Sequence, residues 1–157
     1  MIVNRSKMSD KPLIFTGIVH PPSKATREHP SDLSSGELHA VARGRENGLP
    51  VFVEHETDQP SVGQVLTSWE GPRGELKMQA AVTDPAIAAQ VRNGTLRGLS
   101  LGTDCVQDTD GKTMMRVQKE LSLCAEGRRS GTWITHVDNK QVHEVAAFSR
   151  RNRTRAS

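Results

Sequence analysis

Turn residues cut this chain into six or seven apolar runs of about strand length, and that punctuation limits its fold more than any other feature. Such a run buries a face only by pairing with its neighbours, so the chain must build a sheet. Residues 75–83, ELKMQAAVT, are the cleanest case: Leu76, Met78, Ala80 and Val82 recur at period two. PLIFTGIVH (12–20), PVFVEHE (50–56), SVGQVLTSW (61–69), LRGLSLGT (96–103) and TWITHV (132–137) read the same way. TMMRVQKELSLCAE (113–126) makes one long strand or two broken ones. Two helices are expected between them. Ser31 or Asp32 caps one that runs to about Ala42, with Leu33, Leu38 and Val41 inward. Asp84-Pro85 starts the other, which buries Ile87 and Val91 and stops at Gly94. The expected fold is mainly β with short helices: a small barrel-like antiparallel sheet ringed by helices.

The 157 residues suit one domain. We expect a loose leader over 1–11, a folded domain over 12–137 and a basic tail over 138–157. Aromatic residues are only 3% and tyrosine is absent, so the core must come from Val, Leu, Ile, Ala and Met, with Trp69 and Trp133 as bulky members. The two cysteines, Cys105 and Cys124, form no CxxC pair, which argues against a zinc knuckle. No apolar stretch is long enough to span a bilayer, and the first ten residues lack a signal-peptide apolar region. A soluble intracellular chain with reduced thiols is expected, with no membrane partner. The net charge of +3 is too small to imply a nucleic-acid partner. Arg150, Arg151, Arg153 and Arg155 concentrate charge near the C-terminus, where they suit phosphates or an acidic protein. The scarcity of aromatics argues against base stacking.

Few residues offer chemistry. Ser100 lies in LRGLSLG, between glycines and apolar neighbours, and not in a G-x-S-x-G elbow. Taken alone, it reads as a small core residue. His55 shares a strand face with Val51 and Val53 by alternation, which turns Glu54 and Glu56 to the other face. A serine nucleophile needs such a base within hydrogen-bond reach, and the base needs an orienting partner. Residues 127–132, GRRSGT, could aim a backbone N–H and a guanidinium at a developing oxyanion. HETDQ lacks the second histidine of a zinc protease motif, and the other histidines show no ligand spacing, so no metal and no cofactor are expected.

The order of these segments carries a resemblance. Leu49-Pro50 leads to His55; Val62-Gly63-Gln64-Val65 and Val82-Thr83-Asp84-Pro85 follow. Then come Gly98-Leu99-Ser100-Leu101 and Leu123-Cys124, running into Gly127-Arg128-Arg129-Ser130-Gly131-Thr132. Each block is weak, but five in order over residues 12–135 are specific. The chain resembles the herpesvirus maturational protease, assemblin, and the tailed-phage prohead proteases thought to share its fold. The resemblance implies Ser100 as nucleophile and His55 as general base. It also implies an oxyanion site at Arg128, through its backbone N–H, and at Arg129, whose side chain would hold a water. Where the herpesvirus enzymes carry a second histidine this chain has Glu120, which moves the resemblance toward a Ser-His-Glu triad of the phage type. Asp104 stays open as an alternative, since it shares the Ser100 face at period two. About 25 residues follow Thr132, against a longer region that includes the dimer helix in the herpesvirus enzymes. Their dimer is therefore not carried over.

The implied function is a serine endopeptidase that processes scaffold and major capsid protein precursors inside an assembling procapsid. Such a procapsid lies in the host cytoplasm for a phage and in the nucleus for a herpes-like virus. A homo-oligomer is compatible with this reading. The alternative is a non-enzymatic capsid-assembly or basic scaffold- or nucleic-acid-binding module on the same fold.

Overall fold

A computed structural model describes residues 11–45, 48–127, 129 and 131–142. Eight strands and two short helices follow in order: β1 Leu13–His20, α1 Ser35–Ala40, β2 Pro50–Val53, β3 Gly63–Glu70, β4 Leu76–Val82, α2 Pro85–Arg92, β5 Gly98–Gln107, β6 Thr113–Cys124, β7 Ile134–Val137 and β8 Lys140–Gln141. The region read as one long or two broken strands is the single strand β6. All eight lie in one sheet, in the order β5-β6-β2-β3-β4-β1-β7-β8.

The sheet is mixed. β2 pairs with β6 in parallel, Val51 opposite Leu121 and Val53 opposite Leu123, while the other pairs run antiparallel. It also curls. At the start of β5, Gly98 bridges Trp133, just ahead of β7. The Leu99 N–H donates to the Thr132 carbonyl at 3.1 Å and the Ile134 N–H to Arg97 at 2.9 Å. These bonds bring the β5 end of the sheet against the β7 end, which gives the barrel-like form. Gly17 of β1 leaves room for this closure: a Cβ there would lie 2.3 Å from Leu99 Cδ1 and 2.7 Å from the Trp133 carbonyl oxygen.

The alternation read in the sequence sets the core. Leu13 and Phe15 of β1, Leu76 and Met78 of β4, Leu99 of β5 and Leu121 and Leu123 of β6 have no exposed surface. Burial of each such side chain stabilises the fold by about 1.5–3 kcal/mol. The tryptophans do not take the place expected of them. Both are half-buried, and Phe15 is the largest side chain in the interior. Trp133 instead stacks under the Arg97 guanidinium, 5.1 Å from ring centre to charge.

The first helix starts later than Ser31 or Asp32. Ser34 is its cap, in a reciprocal box: Ser34 Oγ accepts from the Glu37 N–H and Glu37 Oε1 accepts from the Ser34 N–H. The α-helix ends at Ala40 and a wider π turn follows over Val41–Arg45. Asp32 has other work. Its Oδ2 accepts from the N–H groups of Glu28 and His29, closing a turn. Leu33, Leu38 and Val41 are buried as expected. In α2, Asp84 caps the N–H groups of Ala86 and Ile87 ahead of Pro85 at the first turn. Ala88 and Val91 are its buried residues, and Ile87 packs at the edge of the core.

Candidate active site

The parallel contact between β2 and β6 builds the site. β2 ends at Val53, so His55 is not a strand residue and alternation does not orient it. Glu54 and His55 both adopt positive φ, 51° and 58°. A non-glycine residue there costs on the order of 1–2 kcal/mol. Three hydrogen bonds to β6 and its end hold the pair in place. The Glu54 N–H donates to the Leu123 carbonyl at 3.0 Å, and the His55 N–H to Ser122 Oγ at 2.9 Å. The Glu54 carboxylate accepts from the Ala125 N–H at 3.0 Å. The left-handed turn swings the His55 ring back across β6 toward β5.

There the ring meets the two groups that the motifs singled out. His55 Nε2 lies 2.8 Å from Ser100 Oγ. His55 Nδ1 lies 2.8 Å from Glu120 Oε2 and 3.1 Å from Oε1. A carboxylate only accepts, so Nδ1 carries the proton and Nε2 presents its lone pair to the serine hydroxyl. Ser100 and Glu120 stand on neighbouring strands, in the antiparallel β5–β6 ladder. Glu120 is 3% exposed, far from the surface glutamate that its neighbours Lys119 and Arg116 would suggest. It fits only because Gly102 stands opposite it. A Cβ on Gly102 would lie 1.6 Å from Glu120 Oε2. Asp104 is exposed across from Val117, so of the two carboxylates left open by the sequence, Glu120 is the one at the ring.

One residue escaped sequence reasoning. Ser122, fully buried, accepts from the His55 N–H and donates from its Oγ to Glu120 Oε1 at 2.5 Å. It ties the backbone of the histidine to the carboxylate that faces the ring. A signal existed, because Glu120 and Ser122 share a face of β6 at period two. Nothing in the sequence said that β2 would lie alongside.

A cavity of about 970 Å³ opens at Ser100, between loop 21–34 on one side and Leu101 and Arg129 on the other. The Arg129 guanidinium crosses it to Asp32 Oδ1 and to Ser31 Oγ, the latter at 2.7 Å. Two of its five N–H donors are thus spent on loop 21–34 rather than on a water beside Ser100. Burial opposes ionisation of Asp32, but the N–H groups of His29 and Glu28, with Arg129, outweigh it and hold the carboxyl below its ordinary value of 3.8. The Arg129 loop is braced by Thr132, whose Oγ1 donates to the Arg129 carbonyl at 2.8 Å. Arg128 lies outside the described residues, as does the arginine-rich tail from 143 onward.

A mainly β, mixed sheet curled upon itself with two short helices is a fold that this chain shares with solved herpesvirus proteases. The assemblin resemblance carried by the motifs therefore holds in the fold. The protease of Kaposi's sarcoma-associated herpesvirus, in complex with a hexapeptide phosphonate inhibitor, aligns with a TM-score of 0.62 at 21% identity, over 87% of this chain and 69% of that one. The varicella-zoster virus protease aligns with a TM-score of 0.55 at 20% identity, over 80% of this chain and 64% of that one. No family model and no curated protein sequence matches the chain.

Proposed function

We propose that the chain is a serine endopeptidase with a Ser100–His55–Glu120 triad. The observation that carries this reading is the continuous hydrogen-bonded chain from Ser100 Oγ through the His55 ring to Glu120. Ser100 Oγ attacks the peptide carbonyl carbon while His55 Nε2 takes its proton. The C–N bond then breaks, and His55 returns that proton to the leaving amine. Water repeats the sequence on the acyl-serine and frees the enzyme. Glu120 fixes the reactive tautomer of His55 and stabilises the transient imidazolium. Ser122 holds Glu120 and the histidine backbone in register. The arginine loop supplies the oxyanion donors, Arg128 by its backbone N–H and Arg129 by a water held on the guanidinium N–H groups that Asp32 and Ser31 leave over.

The substrate class we propose is scaffold and major capsid protein precursors, cut within an assembling procapsid; the fold likeness and the motif order together support it. A homo-oligomer is compatible with the same reading; two of the similar structures are herpesvirus proteases in complex with a dimer disruptor. A peptidyl phosphonate is the direct probe. Intact-mass analysis should show one covalent adduct on the parent chain and none on Ser100→Ala. Cleavage of a precursor by the parent alone would complete the case. Equal behaviour of the folded parent and Ser100→Ala toward both reagents would defeat the reading.

A further inference from the structure

His20 is a buried histidine that the proposed chemistry does not use. It closes β1, is 4% exposed and lines the cleft at Ser100. Both ring nitrogens are committed. Nε2 accepts from the Leu33 N–H at 3.1 Å, and Nδ1 lies 2.7 Å from the Pro21 carbonyl. An amide N–H can only donate and a carbonyl can only accept. The ring is therefore neutral, with its proton on Nδ1.

Pro21 and Leu33 are the two ends of the loop that forms one wall of the cleft. The loop has no strand or helix of its own and carries Pro21, Pro22 and Pro30. One imidazole thus fastens both ends of that wall. Farther along, the wall is held by charge: Arg129 reaches Asp32 and Ser31, and Arg116 reaches the Pro30 carbonyl and Glu37.

We propose that His20 is a positioning residue for substrate: in its neutral form it fastens both ends of loop 21–33 against the cleft, and protonation releases that wall. The inference rests on the endopeptidase reading for its effect on substrate, though not for its effect on the loop. A proton on Nε2 would set one N–H against another at Leu33, and the shorter bond to Pro21 alone cannot hold the far end. The charged groups facing His20 are Arg129, which opposes its protonation, and Asp32 and Glu37, which favour it. Burial is the largest influence and, with Arg129, outweighs the Pro21 carbonyl and the carboxylates, so the ring titrates below its ordinary 6.5. Asp32 and Glu37 are held below 3.8 and 4.5 respectively. They stay charged as pH falls from 6.5 to about 4.5, the range over which the loop is followed.

The test follows amide hydrogen exchange in the full chain from about pH 8 to about pH 4.5, corrected for intrinsic rates, beside kcat and KM for a peptide substrate. Protection at Leu33 and through loop 21–33 should fall about tenfold or more below pH 6.5, while β1 and β4 stay protected, and KM should rise over the same range. His20→Gln places a carbamoyl oxygen near the position of Nε2 and does not titrate. It should keep part of the Leu33 protection and abolish the pH response of both loop and KM. His20→Ala should raise KM at every pH. Loop protection that is flat with pH in the parent, loss of β1 and β4 protection together with the loop, or a parent-like pH response in His20→Gln would each overturn the proposal. A chain with no peptidase activity would defeat the endopeptidase reading, and the exchange data would still decide the role of His20.

Discussion

Replacing Gly102 by alanine probes the carboxylate–imidazole link without removing any hydrogen-bonding group. The new Cβ would lie 1.6 Å from Glu120 Oε2, 2.5 Å from its Cδ and 3.0 Å from its Cγ. Carbon atoms do not approach neighbours closer than about 3.0 Å, so the oxygen must retreat by at least about 1.4 Å. That oxygen makes the 2.8 Å bond to His55 Nδ1, and a displacement of this size breaks it or forces the ring to follow. A misplacement of about 1 Å costs roughly 10²-fold in rate, and loss of the orienting carboxylate costs up to about 10⁴-fold. The expected fall in kcat for Gly102→Ala is therefore between about 10² and about 10⁴. The group struck is the end of a flexible side chain rather than backbone, so the fold should survive with a modest drop in Tm. The assay is kcat on a fluorogenic peptide, with phosphonate labelling rate and a thermal melt beside it. A folded Gly102→Ala chain with kcat within about threefold of the parent would refute the assignment of Glu120 as the orienting group.

Two further outcomes follow from the same geometry. Ser122→Ala should lower kcat about tenfold to 100-fold with little change in KM, because it frees Glu120 and the left-handed turn that carries His55. It should also cost about 1–3 kcal/mol of stability in urea unfolding, since the part-buried His55 N–H loses its acceptor. Stability should fall in acid, beginning with His20. A depressed histidine binds its proton in the unfolded chain first, so stability declines once pH drops below 6.5 and continues down through the lower folded value. Below about pH 4.5 the carboxyls add to this. Burial opposes ionisation of Glu37, but Ser34 and Arg116 outweigh it and hold the group below 4.5, with Asp32 below 3.8. Their contribution is complete above those values and is lost as pH falls through the folded ones. Urea midpoints measured against pH should show this decline, and Glu37→Gln should flatten its lower part.

Local physics made the strands, the helix starts and the core readable from the chain itself. Period-two alternation in 75–83 needs no partner to declare a buried face, and Asp84-Pro85 declares a helix start by its own hydrogen bonds and fixed φ. Ser100, His55 and Glu120 were legible only as members of an ordered set of motifs, because no single one has a local signature. Tertiary structure decided the rest. Strand alternation placed His55 wrongly because the strand stops at Val53 and a strained left-handed pair follows, held by bonds to a segment about 65 residues away. The parallel pairing of β2 with β6 chose Glu120 over Asp104, brought in Ser122 and made Gly102 the space for a carboxylate. The course of loop 21–33, which returns Leu33 to the end of β1, set His20 between Pro21 and Leu33. A residue's type and its local period report on which face it prefers. Which hydrogen bonds it makes depends on the strand that lies beside it, and that is decided only when the whole sheet closes.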